Sequence, residues 1–270
     1  DEKVTAMTSV PTMLWDILRS KTRDEYDLSS LTAFSSGGQA LPPGLLDELF
    51  SVFPNAFFGT GYGMTEMSGS LCQATGEEFM KSPKSSGRVL PIFDVKTVDE
   101  NGQDLPQGEV GEIWSRGAGA MNGYWLKGEI DRPFKPGGWY ATGDVGRIDK
   151  DGYVFILDRI TDMIISGGEN IYCAEVEKAL VVVDGVDDVT AFGVPDDRLG
   201  EALVLVAVSS QPADAIEAAI EAHAAKFLGM YKRPRNIIVQ SEPLPRSATH
   251  KVEKRLVRER ILAQIQDPKQ

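Results

Sequence analysis

The spacing of apolar positions changes twice along the chain, and each change predicts a change of architecture. In the first stretch, short apolar runs alternate with helical patterns. Ser9 to Leu18 predicts a helix, with Pro11 in its first turn, where a missing amide hydrogen does no harm. Leu31-Thr-Ala-Phe34 predicts a short strand that stops at Gly37-Gly38. Pro42-Pro43 then opens a second helix with Leu45, Leu46, Leu49 and Phe50 along one face, and Phe57-Phe58 predicts another short buried strand.

From about Val89 to Asp158 the apolar runs shorten, as in Val110 to Trp114 and Tyr153 to Leu157. Turn signals at Asn101-Gly102, Pro106-Gln-Gly108, Pro136-Gly-Gly138 and Asp151-Gly152 separate them. That texture predicts antiparallel strands closing into a small barrel. Past Arg159 the pattern is compact α+β. Val176, Leu180 and Val183 share one helical face, Val189 to Val194 and Leu203 to Val208 predict strands, and Ile216, Ile220, Phe227 and Leu228 predict a second helix. Ile237 to Val239 predicts a third strand, and Val257, Ile261 and Ile265 a last helix. A domain boundary is expected near residues 158–162.

Composition narrows the partners. With 270 residues, 42% hydrophobic, the chain can bury a core in each of two domains. Its net charge of -12 repels nucleic acid and anionic membranes, so neither is expected as a partner. No apolar run is long enough to span a bilayer, and Asp1 to Thr5 does not read as a signal peptide. The two cysteines, Cys72 and Cys173, lack metal-ligand spacing and suit a reducing compartment, so a cytoplasmic location is expected. Oligomeric state is not legible, and a homodimer stays open.

Three segments carry candidate chemistry. In Gly59-Thr-Gly-Tyr-Gly-Met-Thr65-Glu66, Gly59, Gly61 and Gly63 are expected to free the backbone for a ligand. Tyr62 offers a ring to stack on a base, Thr65 a hydroxyl for a phosphate oxygen, and Glu66 a hard carboxylate for Mg²⁺. In Thr142-Gly143-Asp144, an aspartate at a strand edge can accept both hydroxyls of a ribose. Taken alone, the tripeptide is more often a turn, and Arg159, fifteen residues beyond Asp144, is more often an interdomain ion pair. Ser166-Gly167-Gly168 would let a narrow ligand pass close to the main chain. In Pro243-Leu-Pro245 to Lys251, two prolines fix the approach of a polar loop that aims a cation at a phosphate.

Together, Tyr62-Gly-Met-Thr-Glu66, Thr142-Gly-Asp144 with Arg159, and Pro245 to Lys251 resemble, in order and spacing, the adenylate-forming superfamily of acyl-CoA synthetases, luciferases and peptide-synthetase adenylation domains. Asp27-Leu-Ser-Ser-Leu31 and Ser36-Gly-Gly-Gln-Ala-Leu-Pro42 match as well. Asp162 to Ile171 looks more like the fatty- and aryl-acid CoA ligase branch. The resemblance implies a multidomain α/β and α+β fold. Residues 1–88 would end a large α/β subdomain, 89–158 would be a β-barrel-like subdomain, and 159–270 a small mobile domain. It implies a carboxylic-acid substrate, ATP going to AMP, Mg²⁺ and coenzyme A. Thr65 would touch the α-phosphate and Glu66 would hold Mg²⁺. Gly37, Gly38, Gln39 and Tyr62 would line the adenine, Gly61, Gly63 and Met64 would also bind the nucleotide, and Asp144 and Arg159 would bind the ribose. Lys251 would neutralise departing pyrophosphate, and Ser166, Gly167 and Gly168 would face the pantetheine of coenzyme A after the small domain swings.

The sequence departs from the family pattern at three points. No Ser/Thr/Gly-rich phosphate loop with its lysine occurs, so the chain reads as the C-terminal portion of a longer enzyme and is expected to be inactive alone. Thr161 stands where a hinge Asp or Lys is usual, and His250 where a Gly precedes the lysine. The basic run Lys251, Lys254, Arg255, Arg258 and Arg260 is expected to be a solvated helix face rather than a coenzyme A site.

Overall fold

The computed structural model describes residues 2–37, 41, 44–247 and 251–266. The chain falls into two compact units, Asp1–Ile156 and Leu157–Gln270. In the first, β1 (Ala6–Ser9), α1 (Pro11–Arg19), β2 (Ala33–Gly37), α2 (Leu45–Val52) and β3 (Phe57–Tyr62) follow one another, and the three strands pair in parallel. Leucines one turn apart, Leu14 with Leu18 and Leu45 with Leu49, press both helices onto Phe34 and Phe58. β4 (Cys72–Thr75) and β5 (Arg88–Val89) extend the sheet in antiparallel fashion. Between them α3 (Glu77–Lys81) buries Phe79, its ring 4.9 Å from that of Phe58. β1 went unpredicted because it is short and half polar. The start of α2 foreseen at Pro42-Pro43 lies outside the described residues; the helix runs from Leu45, after Gly44 at φ 77°.

The rest of the first unit is antiparallel, as its turn spacing predicts. β6 (Phe93–Val98) and β7 (Gly111–Gly117) pair, then a two-stranded hairpin, β8 (Tyr124–Leu126) and β9 (Glu129–Asp131), stands apart. β10 (Phe134–Lys135), β11 (Trp139–Ile148) and β12 (Val154–Arg159) complete the sheet. The pairing path is linear, β6-β7-β11-β10 with β12 also on β11, so the strands do not close on themselves as a barrel would. Ten-residue β11 has two short neighbours, β10 and β12, in place of one long one. Two aspartates just ahead of the foreseen turns close them: Asp99 Oδ1 accepts the N–H groups of Asn101 and Gln103, and Asp149 Oδ1 those of Asp151 and Tyr153.

In the second unit β16 (Gly200–Val208) is the centre. It pairs with β15 (Asp188–Asp196) over nine register positions, with β13 (Ile164–Ser166), which carries β14 (Glu169–Ile171), and in parallel with β17 (Asn236–Gln240). Leu203, Leu205 and Ala207 face α4 (Cys173–Leu180) and α5 (Ala213–Phe227), while Ala202, Val204 and Val206 face α6 (Lys254–Gln266). Coverage of both faces explains the unbroken apolar run, since side chains alternate along a strand. Of the expected core-face residues Leu228 is buried, but Phe227 is exposed and Ala224 is buried in its place. Among the described residues no helix is long and apolar enough to cross a membrane.

The basic run at α6 is only partly solvated. Lys254 Nζ lies 2.8 Å from Glu177 Oε1, which also accepts the Ala191 N–H at 2.7 Å. Arg258 Nε donates to the Gly193 carbonyl at 2.7 Å. Burial works to lower the Lys254 ammonium, but attraction to Glu177 outweighs it and leaves the group raised. Its folded value therefore exceeds its unfolded one, so this stabilisation is complete below the ordinary lysine value and is lost as pH rises through the raised one. Glu177→Ala should cost about 1–3 kcal/mol in urea unfolding, because it leaves the half-buried Lys254 ammonium with the weaker pull of Asp158 alone. The deficit should hold from neutral pH to about pH 9, below the lysine range.

Candidate functional site

Open α/β sheets take ligands outside the carboxyl ends of their parallel strands. Here β2 and β3 end side by side, with Gly37 in register with Gly61. The glycines behave differently from the sequence expectation. Gly59 and Gly61 are strand residues within β3, and none of Gly59, Gly61 and Gly63 has a positive φ. What they provide is close approach. A Cβ on Gly63 would lie 1.8 Å from the Gly69 carbonyl oxygen, and one on Gly59 would lie 2.8 Å from Thr75 Cγ2. The glycine pattern thus lets strands and turn close on one another.

Past Met64 the chain makes a single 3₁₀ turn, Thr65–Met67. Met67 is fully buried and anchors it, which leaves Thr65 exposed and Glu66 half-buried. Gly69 N–H closes the turn on the Met64 carbonyl at 2.9 Å. The Tyr124 hydroxyl of β8 donates to Glu66 Oε1, and Met121 N–H donates to the Glu66 carbonyl at 2.8 Å. The bond to Glu66, followed by one to Tyr140, raises the Tyr124 phenol well above its ordinary value.

Asp144 stands in a bulge, not at a strand edge. Pairing between β11 and β7 shifts from Ala141↔Trp114 to Val145↔Glu112, so Thr142, Gly143 and Asp144 share the space opposite Ile113 alone. Gly143, at φ 73°, gives its N–H to Glu112 Oε1 at 3.1 Å, and the Thr142 hydroxyl donates to the Ile113 carbonyl at 2.7 Å. Bulges of this kind re-aim a side chain. Asp144 is 5% exposed, and its Oδ2 accepts the Tyr62 hydroxyl at 2.6 Å. Burial first, then the Asp144 charge, push the Tyr62 phenol far up, so it stays a donor. Two of the sequence motifs, 82 positions apart, therefore meet.

The second unit supplies the other candidates. Arg159 is exposed, and its carbonyl accepts the N–H groups of Asp162 and Met163 at 3.0 and 2.9 Å. Gly167 and Gly168, at φ 61° and 87°, form the two-residue turn between β13 and β14, a geometry that by itself calls for glycine at both positions. Gly167 N–H donates to the Leu199 carbonyl at 2.8 Å. Lys251 is exposed on a loop whose residues 248–250, His250 included, lie outside the described ones, as do Gly38 and Gln39. Sequence reading missed Tyr124 and Glu112. Their only signal was residue type, since their partners lie 58 and 31 positions away.

The described residues contain no cluster of three or more metal-binding side chains. One carboxylate, Glu66, suits Mg²⁺, which commonly shares its coordination with substrate phosphates and water. Two open grooves in the first unit, one lined by Tyr26, Leu31 and Phe53 and the other by Phe57, Gly76 and Met80, sit at the amino ends of the parallel strands and include none of these residues.

An α/β sheet with Tyr62 and Asp144 meeting at its carboxyl edge, an antiparallel sheet and a small α+β unit define a protein of the adenylate-forming class. Two family profiles match in that order, AMP-binding enzyme over residues 1–125 and AMP-binding enzyme C-terminal domain over residues 175–251. The chain belongs to the AMP-binding enzyme family. A long-chain-fatty-acid–CoA ligase of Mycobacterium tuberculosis is 32% identical over 265 residues, 98% of this chain and 52% of the relative. Amide bond synthetase McbA of Marinactinospora thermotolerans superposes with a TM-score of 0.84 at 30% identity, over 96% of this chain and 52% of that one. The o-succinylbenzoate CoA synthetase of Bacillus subtilis, in complex with its acyl-adenylate intermediate, gives 0.81 at 30% identity, over 94% and 51%. The chain spans about half the length of the curated relatives it matches.

Tyr62→Phe leaves the buried Asp144 carboxylate one donor short. It should cost about 1.5–3 kcal/mol in urea unfolding, the range for hydrogen bonds to charged groups.

Proposed function

We propose that the chain serves an AMP-forming acid–CoA ligase. The observation that carries this reading is the meeting of Tyr62 and Asp144 at the carboxyl edge of β3, in a chain whose relatives include CoA ligases. In the first half-reaction a substrate carboxylate oxygen attacks the α-phosphorus of ATP, and the bond to the β-phosphate oxygen breaks to release pyrophosphate. Thr65, exposed beside the end of β3, donates to an α-phosphate oxygen. The Tyr62 ring, Gly37, Gly38 and Gln39 line the adenine, and Gly61, Gly63 and Met64 also contact the nucleotide. Asp144 and Arg159 take the ribose hydroxyls. Lys251 neutralises charge on the departing pyrophosphate. Glu66 would hold Mg²⁺, which supplies charge neutralisation along the phosphates when bound.

In the second half-reaction the coenzyme A thiol sulfur attacks the acyl carbon, its proton leaves to solvent, and AMP departs with the bonding pair. Ser166, Gly167 and Gly168 present bare main chain to the pantetheine arm. The working compartment is the cytoplasm. A second reading changes only the acceptor, to an amine or a carrier-bound thiol, and rests on the amide bond synthetase being as similar in sequence as the CoA synthetase.

ATP–pyrophosphate exchange over a panel of carboxylic acids tests the first half, and an acceptor panel the second. The 270 residues alone should exchange at background, because they contain no phosphate loop with its lysine. Joined to the portion that the relatives carry in addition, the chain should exchange with at least one acid. In that complete enzyme Lys251→Ala should lower exchange about 10²–10³-fold while thioester formation from supplied acyl-adenylate persists. Equal loss in both halves would contradict the assignment of Lys251.

A further inference from the structure

The role proposed for Lys251 requires an exposed lysine on a loop to be aimed, and the second unit holds that loop at its base. Ser247 N–H donates to the Lys251 carbonyl, and Glu253 N–H to the Pro245 carbonyl, both at 2.9 Å. These bonds flank an antiparallel bridge between Arg246 and Val252. Leu244 on one arm is buried in the α6-side core, and Val252 on the other packs against it. This base fixes where the loop leaves the core, but a two-bond ladder can still rock about its own axis. A side-chain contact opposes that rocking: the Arg246 guanidinium reaches sideways to Asp188 Oδ2, on the first residue of β15. Asp188 is itself held, its Oδ1 accepting the Val189 N–H at 3.0 Å.

We infer that Arg246 and Asp188 form a positioning clamp for Lys251, tying the orientation of its loop to the stiff β15–β16 ladder. This rests on the adenylation role of Lys251 proposed above. The pair is partly exposed, with side-chain exposures of 29% and 27%. Such pairs add little to stability, and the burial of Leu244, Val257 and Ile261 already secures this side of the unit. Rate is a different matter, because a displacement of about 1 Å at a charge-stabilising group can cost on the order of 10²-fold. A clamp therefore predicts a large kinetic effect with a small thermodynamic one.

The test uses the complete enzyme and the variants Arg246→Met, Asp188→Asn and Arg246→Lys, with Lys251→Ala in parallel. The readouts are pyrophosphate-exchange kcat and KM for ATP, thioester formation from supplied acyl-adenylate, and the urea midpoint. Arg246→Met and Asp188→Asn should each lower exchange kcat roughly 10- to 100-fold. KM for ATP, thioester formation and the urea midpoint should stay near those of the unaltered enzyme, and Arg246→Lys should regain most of the lost rate. Unchanged exchange in both single variants, while Lys251→Ala is crippled, would overturn the clamp and leave the reading of Lys251 standing. Parallel loss of both half-reactions with a lowered urea midpoint would overturn the clamp in favour of a structural pair. Unchanged exchange in Lys251→Ala would instead remove the reading on which the clamp rests.

Discussion

One hydrogen bond ties the two sheets of the first unit together at the point where chemistry is expected. The Tyr62 hydroxyl, at the end of a parallel strand, donates to a carboxylate that a bulge in an antiparallel strand turns toward it. Neither partner can be spared cheaply. Asp144 is nearly buried, so losing the phenol leaves a charge in a poorly solvated place, and burial keeps the phenol protonated so that it always donates. The bulge exists because Gly143 accepts a left-handed conformation, and because the Thr142 and Glu112 side chains bind the main-chain groups it displaces.

Around that bond the packing has a simple logic. Apolar side chains from α1 and α2 fill one face of the parallel strands, and small residues near the strand ends let neighbouring backbones touch. Tyr124 then draws the end of an otherwise separate hairpin onto Glu66. The rigid parts are hydrophobic and the polar groups are gathered at one edge, the division of labour expected where a scaffold holds a site on its loops.

Most elements were legible because their periodicity is local. The leucine pairs of α1 and α2 and the alternation in β16 follow directly from the sequence. Legibility failed where a partner far along the chain decides the outcome. Gly59 and Gly61 read as residues that free the backbone for a ligand, yet β4, ten or more residues on, recruits them as strand by pairing with them. Asp144 reads as an edge residue, but only the offset against β7 reveals a bulge. Lys254 reads as a solvated cation, and nothing near it announces that Glu177 of α4 lies 2.8 Å away. Closure into a barrel was likewise a property of long-range pairing that turn spacing cannot encode.

The strand β15 has a further consequence. At its first residue it meets Arg246 and the loop that bears Lys251; just past its last residue, Leu199 meets Gly167 of the tight turn. Nine residues of extended chain separate the two by roughly 26 Å. The Arg246 contact and the glycine turn therefore stand near opposite ends of one extended strand. The strand acts as a spacer bar, held straight by its nine-position pairing with β16.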